Sequence, residues 1–445
     1  MKSKIFKALG ISIVVVLLLS MMTGFSKRDS TYDMRPIVFV HGFFGSANQF
    51  ESQAMRFSSN GYPDNYLAAF EYDSSTASVT PAESRFTRLD ALINQLLKET
   101  GADKIDLMGH SLGTTEMTNY LNSSPERAKK VAHYVNIDGV AGKALPGGVP
   151  TLAIWAELGT PGRTFVGAEN VTLAGQSHVQ AATSPEAFAH IFKFFTGKEP
   201  KTTQIVAEPR GQVRLSGKAL IFPQNTAPEK ATLEIYKVNG KTGEREKKKP
   251  EAVFTIAADG SWGPFKAKGG DNYEFVIIRD GVANHHLFFE EFIRSDHFVR
   301  LLTSPPEGGV TASMDTSDHH TNLSINRSKE FFGDQGANND ILKINGTNIV
   351  NAENSAANLR TINYFVYDEG ADKVNHLNVP TKAFAGLPFL KGVDMYIPGA
   401  TPPNSTVTVE LQSRGSNGKK QVINLPNWAS SKLRSVTVQF KDYVQ

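Results

Sequence analysis

The chain has 445 residues, of which 40% are hydrophobic and 20% charged, a composition typical of globular proteins with sizeable cores. Its 47 basic and 44 acidic residues leave a net charge of +3, which is too small to indicate a nucleic-acid-binding protein. The chain contains no cysteine, which excludes disulfides, thiolate metal sites and a lipidated cysteine anchor. At about 150 residues per domain, this length predicts about three folded modules.

The amino terminus has the layout of a bacterial secretory signal peptide. Three lysines precede an apolar stretch from about Ala8 to Met22, and the triplet Gly24-Phe25-Ser26 follows that stretch. We therefore predict a signal peptide at residues 1–26, with an uncleaved N-terminal membrane anchor as the alternative. Either arrangement places the protein outside the cytoplasm, secreted or anchored to the outer face of the membrane.

Between residues 30 and 199, strand-like runs alternate with helical patterns. The strand-like runs are IVFV, LAAFEYD, KIDLMG, VAHYVNI, PTLAIWAE and ENVTLAG. Apolar residues at helical spacing lie in ESRFTRLDALINQLLKET and in FAHIFKFF. Strands separated by helices predict a mostly parallel sheet with helices on both faces. Such sheets place their chemistry in the loops at the carboxyl ends of the strands.

From about residue 203, short β-type runs are separated by turn signals. Asn239-Gly240 and Asp280-Gly281 are typical of tight hairpins. We predict an antiparallel β-rich domain at residues 203–304. A Pro- and Gly-rich segment follows it, and we predict a second β-rich domain at residues 310–445.

The segment KIDLMGHSLGTTEMTNYL changes from strand to helix at its Gly-His-Ser-Leu-Gly turn. A strand, a Gly-x-Ser-x-Gly turn and a helix together predict a nucleophile elbow. Gly109 and Gly113 allow the sharp turn and the close approach of the helix to the sheet, so Ser111 is the predicted nucleophile. A serine hydroxyl needs a histidine that takes its proton and an acid that orients this histidine.

The predicted base is His178, because it directly follows the last strand-like run at the edge of the sheet where Ser111 is expected. The other two histidines of this region are predicted to be structural, because His133 lies at a strand start and His190 lies on the final helix. Two carboxylates end adjacent strands, Asp138 in YVNIDGVAG and Glu157 in AIWAELG. Their spacing alone leaves both as candidates for the acid.

The segment HGFFG, directly after IVFV, is the predicted oxyanion loop. Loss of one oxyanion donor typically costs about 100- to 1000-fold in rate. We expect the backbone N–H groups of Phe43 and Leu112 to bind the oxyanion. The residues expected to support this loop and the elbow are His41, Gly42, Gly109, His110 and Gly113.

Four long segments and three shorter ones resemble a known enzyme family. They are IVFVHGFFGSANQFESQAMRFSSNGYP, GADKIDLMGHSLGTTE, NSSPERAKKVAHYVNIDGVAG and SHVQAATSPEAF, with FIRSDH, NDILKINGTNIVN and NLPNW further on. Together they resemble the Archaeoglobus fulgidus-type lipase and carboxylesterase family. The resemblance implies an α/β-hydrolase domain joined to a C-terminal β domain that assists with lipid substrates.

The resemblance also implies a choice of acid. The family's acid lies in an Asp-Gly-Val turn, which matches Asp138-Gly139-Val140, so the implied triad is Ser111, Asp138 and His178. The family differs in having a long lid insertion after the strand that matches LAAFEYD, where only SSTASVTPA stands here. Because a lid covers the pocket until an interface is met, we expect a more open cleft in this chain.

These features predict a secreted serine ester hydrolase, a lipase or carboxylesterase that cleaves apolar acyl esters such as acylglycerols. The alternatives are an acyltransferase or polyester hydrolase that uses the same triad, and a non-enzymatic surface-binding protein on a hydrolase scaffold. We expect no metal or organic cofactor, no nucleic acid and no required protein partner. The expected partners are an apolar ester substrate and a lipid interface that the C-terminal β region contacts.

Overall fold

Six strands near the amino-terminal end of the described chain form one parallel sheet. The computed structural model describes residues 34–75 and 82–441, so the predicted signal peptide at residues 1–26 and most of SSTASVTPA lie outside them. The strands are β1 Ile37–Val40, β2 Leu67–Phe70, β3 Ile105–His110, β4 Val131–Ile137, β5 Thr151–Ala156 and β6 Glu169–Leu173. Their order is β2-β1-β3-β4-β5-β6, and all neighbours are parallel, as predicted.

Helices cover both faces of this sheet. They are α1 Glu51–Ser59, α2 Ala82–Thr100, α3 Leu112–Ser123, α4 Pro125–Lys129, α5 Gln180–Thr183 and α6 Pro185–Thr196. On one face, Leu89 of α2 and Met117 of α3 belong to the same buried core as Val38 of β1. The aromatic rings of Phe57 in α1 and Phe188 in α6 lie 5.0 Å apart in another part of the core. Within the described ranges, no helix combines the length and the apolar content needed to cross a membrane.

Local sequence signals set both ends of α6. The Ser184 hydroxyl accepts the Ala187 N–H at 3.1 Å, and Pro185 occupies the first helical position. Gly197, with φ +70°, ends the helix in the left-handed conformation that glycine adopts at little cost. Helix α5 begins two residues after His178, so both helices lie close to that residue in the chain.

The described residues beyond 203 form three further sheets. Their strands are β7 Arg214–Ile221, β8 Thr232–Val238, β9 Ala252–Thr255, β10 Ser261–Lys266, β11 Asn272–Ile278, β12 His285–Phe289, β13 Asp296–Thr303, β14 Leu323–Asn326, β15 Ile341–Ile344, β16 Thr347–Asn348, β17 Asn363–Tyr367, β18 Leu390–Asp394, β19 Thr406–Gln412, β20 Gln421–Pro426 and β21 Val436–Gln439. Two short helices are α7 Ala352–Ser355 and α8 Ser430–Leu433. The sheet orders are β10-β7-β13, β18-β17-β14-β21-β12-β11-β8-β9 and β16-β15-β19-β20.

Consecutive strands pair antiparallel across both predicted turns, although their connections are longer than tight hairpins, and the sheets also contain parallel pairs. Strands β11 and β12, on either side of Asp280-Gly281, pair antiparallel. Parallel pairs join β7 with β13, β12 with β21, β14 with β21 and β17 with β18. Turn residues determine only the pairing of consecutive strands, so the parallel pairs carry no local sequence signal.

The eight-stranded sheet contains strands from both segments that were predicted as separate β-rich domains. Strands β8, β9, β11 and β12 come from residues 203–304, whereas β14, β17, β18 and β21 come from residues 310–445. The two halves meet in the parallel pair β12 and β21, where Leu287 lies opposite Thr437. The two segments therefore share backbone hydrogen bonds, and we refer to residues 203–441 together as the β-rich part and to residues 35–199 as the α/β part.

Each face of the eight-stranded sheet is covered. On one face, Ile325 of β14 and Leu411 of β19 share a buried core, which joins this sheet to the four-stranded sheet. On the other face, Phe275 of β11 and Val299 of β13 share a core with the three-stranded sheet. Alternation of side chains along each strand makes this two-sided packing possible.

A buried cluster of three ionisable groups connects the α/β part with the β-rich part. The Lys441 ammonium lies 2.5 Å from Glu51 Oε1 in α1 and 2.9 Å from Asp296 Oδ2 in β13. Burial, together with the neighbouring Asp296 charge, raises the pKa of Glu51 well above its ordinary value. One ammonium thus bridges two acids, and the described residues from Arg35 onward form one compact unit.

Candidate active site

Ser111 lies at a sharp turn between β3, which ends at His110, and α3, which begins at Leu112. Its φ of +53° is in the left-handed region, where a residue with a Cβ is strained. A Cβ on Gly113 would lie 2.3 Å from the Val40 carbonyl oxygen, so only glycine allows α3 to pack this close to β1. This strand, turn and helix have the geometry expected of a nucleophile elbow, and the turn places the serine hydroxyl at the carboxyl edge of the sheet.

The structure brings the three predicted triad residues together. His178 Nε2 lies 2.9 Å from Ser111 Oγ, and His178 Nδ1 lies 2.6 Å from Asp138 Oδ2. The carboxylate accepts the Nδ1 hydrogen, which leaves the lone pair of Nε2 facing the serine hydroxyl. His178 and Asp138 are buried, whereas Ser111 is partly exposed. This geometry is the one that proton transfer from a serine to an imidazole requires.

The Asp138 carboxylate is fixed by two further groups. Its Oδ1 accepts the Ala156 N–H at 3.0 Å and also pairs with the Arg163 guanidinium. Arg163 Nη1 in addition donates to the Gly139 carbonyl at 2.7 Å. Burial by itself raises the pKa of Asp138, but the bonds from His178 and Ala156 and the charge of Arg163 together hold this pKa below its ordinary value. The carboxylate is therefore ionised at neutral pH. Arg163 belongs to no motif in the sequence and was not predicted.

The other candidate residues lie elsewhere. Glu157 is exposed, and its carboxylate accepts the Gly175 N–H at 2.7 Å. His133 Nδ1 lies 2.8 Å from Asp106 Oδ1 on the neighbouring strand, and His190 lies on α6. The carboxylate next to His178 is thus that of Asp138, and His133 has a partner within the sheet.

The predicted oxyanion loop lies directly against the elbow. A Cβ on Gly42 would lie only 3.0 Å from Ser111 Cβ, so the loop approaches the serine as closely as a glycine allows. Phe43 lines the same cavity as Ser111 and His178. Leu112 is the first residue of α3, a position whose N–H has no acceptor within the helix. These positions are suited to two N–H groups that converge on an oxyanion.

His41 belongs to the support of this loop. Its ring is buried and stacks on Tyr72 with the centroids 4.5 Å apart, while its carbonyl accepts the Tyr72 hydroxyl at 2.8 Å. Its Nε2 lies 3.2 Å from Glu71 Oε2, and Glu71 Oε1 lies 2.6 Å from Nε of Arg300 in β13. The base of the oxyanion loop is therefore connected to the β-rich part by a buried ionic contact.

His110 and Gln49 connect the loop, the elbow and the base. Gln49 Oε1 accepts the Gly42 N–H at 3.2 Å, and Gln49 Nε2 lies 2.7 Å from His110 Nδ1. His110 Nε2 lies 2.9 Å from the His178 carbonyl oxygen. Burial, followed by the charge of the neighbouring His178, lowers the pKa of His110 to about 3, so the ring is neutral and has one donor and one acceptor. His110 was predicted as a supporting residue, whereas Gln49 was not.

A cavity opens at Ser111, and the β-rich part supplies much of its wall. The space among its lining residues, including the part open to solvent, is about 1150 Å³. Its apolar lining consists of Phe43, Phe44, Val179, Phe222, Leu302, Val310, Ile362, Phe365, Phe389 and Leu390. Polar side chains of the eight-stranded sheet also line it, namely His285, Ser324, Asn326, Asn363 and Thr437. We expected an open cleft because the SSTASVTPA segment is short. In the structure, residues from distant parts of the chain border this cleft.

A metal site would need several side chains that can bind a metal ion together. Within residues 34–75 and 82–441, no three His, Asp or Glu side chains form a group suited to a metal ion.

The domains of the chain match known family models. Residues 35–182 match the model of the alpha/beta hydrolase fold, and residues 211–306 match that of a lipase C-terminal domain. Residues 309–444 match a further model of a C-terminal domain. The chain thus contains an α/β-hydrolase domain, a domain of the lipase C-terminal type and a further C-terminal domain, which confirms the predicted fold class and supports the resemblance to lipases at the family level.

Solved structures share low sequence identity with the chain. A gene product from Listeria innocua is 14% identical over 38% of this chain and 97% of its own length, with a TM-score of 0.30. Aspergillus fumigatus lipase B is 14% identical over 38% of this chain and 54% of its own, with a TM-score of 0.30. A hydrolase from Thermoplasma acidophilum, described as CIB-like, is 18% identical over 37% and 86%, with a TM-score of 0.28.

Proposed function

We propose that this protein is a secreted serine ester hydrolase, a lipase or carboxylesterase that cleaves apolar acyl esters such as acylglycerols. The observation that carries the proposal is the unbroken series of hydrogen bonds from Ser111 Oγ through the His178 ring to the Asp138 carboxylate. The hydrolase and lipase-type family matches support the same class.

In the first half of the proposed reaction, Ser111 Oγ attacks the ester carbonyl carbon while His178 Nε2 takes the hydroxyl proton. Asp138 stabilises the imidazolium that forms, and the ionic contact with Arg163 keeps this carboxylate charged and oriented. The backbone N–H groups of Phe43 and Leu112 stabilise the negative charge on the carbonyl oxygen. His178 then gives the proton to the departing alcohol, which leaves an acyl-enzyme on Ser111.

In the second half, a water molecule takes the place of the alcohol. His178 removes a proton from the water, the resulting hydroxide attacks the acyl carbon, and Ser111 leaves with the proton returned by His178. The same oxyanion donors serve both halves. The cycle therefore releases one alcohol and one carboxylic acid and restores the starting protonation states.

The substrate class in this proposal follows from the cavity wall. Phenylalanine, leucine, isoleucine and valine side chains line the space next to Ser111, and apolar acyl chains gain about 0.8 kcal/mol for each methylene they bury. Polar side chains such as Ser324 and Thr437 line the same cavity, and they suit the ester and alcohol portions. We also propose that the protein is related to the Archaeoglobus-type lipases and that residues 1–26 direct its export. Both proposals agree with this substrate class.

The proposal is tested by Ser111→Ala in purified protein. We expect the hydrolysis rate of a soluble p-nitrophenyl ester to fall by about four orders of magnitude or more, and labelling by a fluorophosphonate probe to disappear. Ser124→Ala is the matched control, because Ser124 follows α3 and lies about 18 Å from the elbow along this helix. Appreciable hydrolysis by Ser111→Ala would refute the proposal.

Product analysis separates this activity from the alternatives with the same triad. With an added alcohol acceptor, a hydrolase releases mainly free acid, whereas an acyltransferase forms mainly the new ester. Loss of mass from a polyester film would identify a polyester hydrolase. A protein that binds surfaces without catalysis would not react with the fluorophosphonate.

A further inference from the structure

A carboxylate from the β-rich part holds the segment that carries His178. Glu330, in the loop after β14, is fully buried. Its Oε1 accepts the Val179 N–H at 2.6 Å, and its Oε2 accepts the Ser177 hydroxyl at 2.6 Å and the Gln180 N–H at 3.1 Å. These donors lie on both sides of His178 in the chain. One carboxylate therefore holds the side chain that precedes the imidazole and the backbone that follows it.

A cluster of buried charges fixes Glu330 in turn. The guanidinium groups of Arg327 and Arg414 both donate to the Glu330 carbonyl oxygen. Both also pair with Asp340, at 2.9 Å from Arg327 Nη2 and 2.7 Å from Arg414 Nη1. Burial raises the pKa of Asp340, but the two guanidinium charges outweigh it and hold this pKa far below the ordinary value. Moving Glu330 would break several charge-assisted hydrogen bonds, so its position is rigid.

Two further contacts hold the His178 segment, one from the β-rich part and one from the α/β part. Arg414 Nη2 lies 2.8 Å from Gln180 Oε1, which adds a second contact from the β-rich part. On the α/β side, His110 donates to the His178 carbonyl at 2.9 Å. With the backbone fixed from both sides, the imidazole keeps only its own side-chain torsions, which the Asp138 carboxylate sets.

We infer that Glu330 is a positioning residue for catalysis, through which the β-rich part completes the active site of the α/β part. This inference rests on the proposed ester hydrolysis. A carboxylate suits the position because it accepts several hydrogen bonds and donates none. A glutamine amide would direct its NH₂ group at the backbone N–H of either Val179 or Gln180, which cannot accept a hydrogen bond. The resulting shift of the backbone would move His178 relative to Ser111, and a displacement of about 1 Å costs about 100-fold in rate.

The test is Glu330→Gln, measured on a soluble short-chain p-nitrophenyl ester. We expect kcat per folded molecule to fall about 10- to 100-fold, while KM changes less than about twofold. The rate of fluorophosphonate labelling at Ser111 should fall by a similar factor, because this reaction also needs His178 in place. A soluble substrate is used so that loss of a lipid contact cannot explain the result.

The matched control is Asp296→Asn. Asp296 is also a buried carboxylate of the β-rich part, but its partners are Lys441 and the Phe298 N–H rather than the His178 segment. We expect a lower Tm with kcat per folded molecule within about twofold of the parent. Equal losses of kcat in both variants would show that any weakening of the contact between the two parts is enough, and would overturn the role of Glu330.

A milder variant keeps the inference testable if Glu330→Gln does not fold. Ser177→Ala removes one of the three donors and leaves the Glu330 charge in place, so we expect a folded protein with kcat reduced about threefold to tenfold. Unchanged kcat in a folded Glu330→Gln, or in Ser177→Ala where the former does not fold, would overturn the inference. Activity retained by Ser111→Ala would instead refute the proposed function, so the two failures are distinguishable.

Discussion

The α/β part and the β-rich part contribute to one site by different means. The α/β part supplies every group that the proposed mechanism uses, and the nucleophile and the acid directly follow strands, Ser111 after β3 and Asp138 after β4. The β-rich part supplies none of those groups, but it supplies much of the cavity wall and the Glu330 carboxylate. The chemistry is thus encoded in short motifs, whereas its surroundings depend on contacts between residues far apart in the chain.

The largest effect is expected from replacing the acid at the end of β4. Asp138→Asn removes the charge that stabilises the His178 imidazolium and favours the wrong ring tautomer, so we expect kcat to fall about 10⁴-fold with little change in KM. Glu157→Gln, at the end of β5, should keep kcat within about twofold. Steady-state kinetics on a soluble ester check both. The opposite ranking would transfer the acid role to Glu157.

A second test concerns the contact between the two parts. Glu71 is buried between His41 and Arg300, and although burial raises its pKa, the two partners lower it from 4.5 to about 2. A carboxyl group with a lowered pKa in the folded state stabilises the protein above its unfolded pKa and loses this effect as the pH falls. The shift corresponds to about 3 kcal/mol, lost between about pH 4.5 and pH 2.

We therefore expect Glu71→Gln to lack this part of the pH dependence. Urea unfolding of the parent and the variant across that pH range gives the difference in free energy of unfolding, which should shrink as the pH falls. Glu126→Gln, at an exposed ion pair with Lys129, is the control and should run parallel to the parent. Parallel curves for Glu71→Gln would show that this contact does not link the two parts energetically.

The third test asks whether the β-rich wall determines chain-length preference. Leu302 is half-buried in β13 and lines the cavity. Leu302→Ala should lower kcat/KM about tenfold for an ester whose acyl chain reaches this wall, and much less for an acetate ester. Leu377→Ala is the control, because Leu377 packs against the core between the eight- and four-stranded sheets. An equal loss on both esters would exclude a substrate contact at Leu302.

The smallest effect is expected at Arg163. Arg163→Gln removes one of the groups that lower the pKa of Asp138, so this pKa should rise and the acid side of the pH–rate profile should move to higher pH. Near neutral pH we expect a loss of about threefold, because His178 and Ala156 still hold the carboxylate. Arg210→Gln, at an exposed ion pair with Asp271, should leave the profile unchanged.

The difference between the two parts also explains which features the sequence could predict. The predicted elbow, the predicted oxyanion loop and the strands and helices before residue 200 follow from motifs and hydrophobic periodicity. The spacing left Asp138 and Glu157 equivalent, because both end a strand at the same edge of the sheet. Gln49 and Glu330 carried no signal: Gln49 meets His110 only after the chain has folded, and the loop of Glu330 reaches His178 across about 150 residues.

The placement of β21 has a consequence for biogenesis. This strand follows every other strand of its sheet in the chain, yet it lies between β12 and β14, in the middle of the order. Translation delivers a chain progressively, so the two halves of the sheet cannot join until β21 has emerged from the ribosome. A growing polypeptide therefore already contains Ser111, Asp138 and His178 before β21 has been synthesised. The part of the cavity wall that the eight-stranded sheet forms is complete only after β21 has joined that sheet.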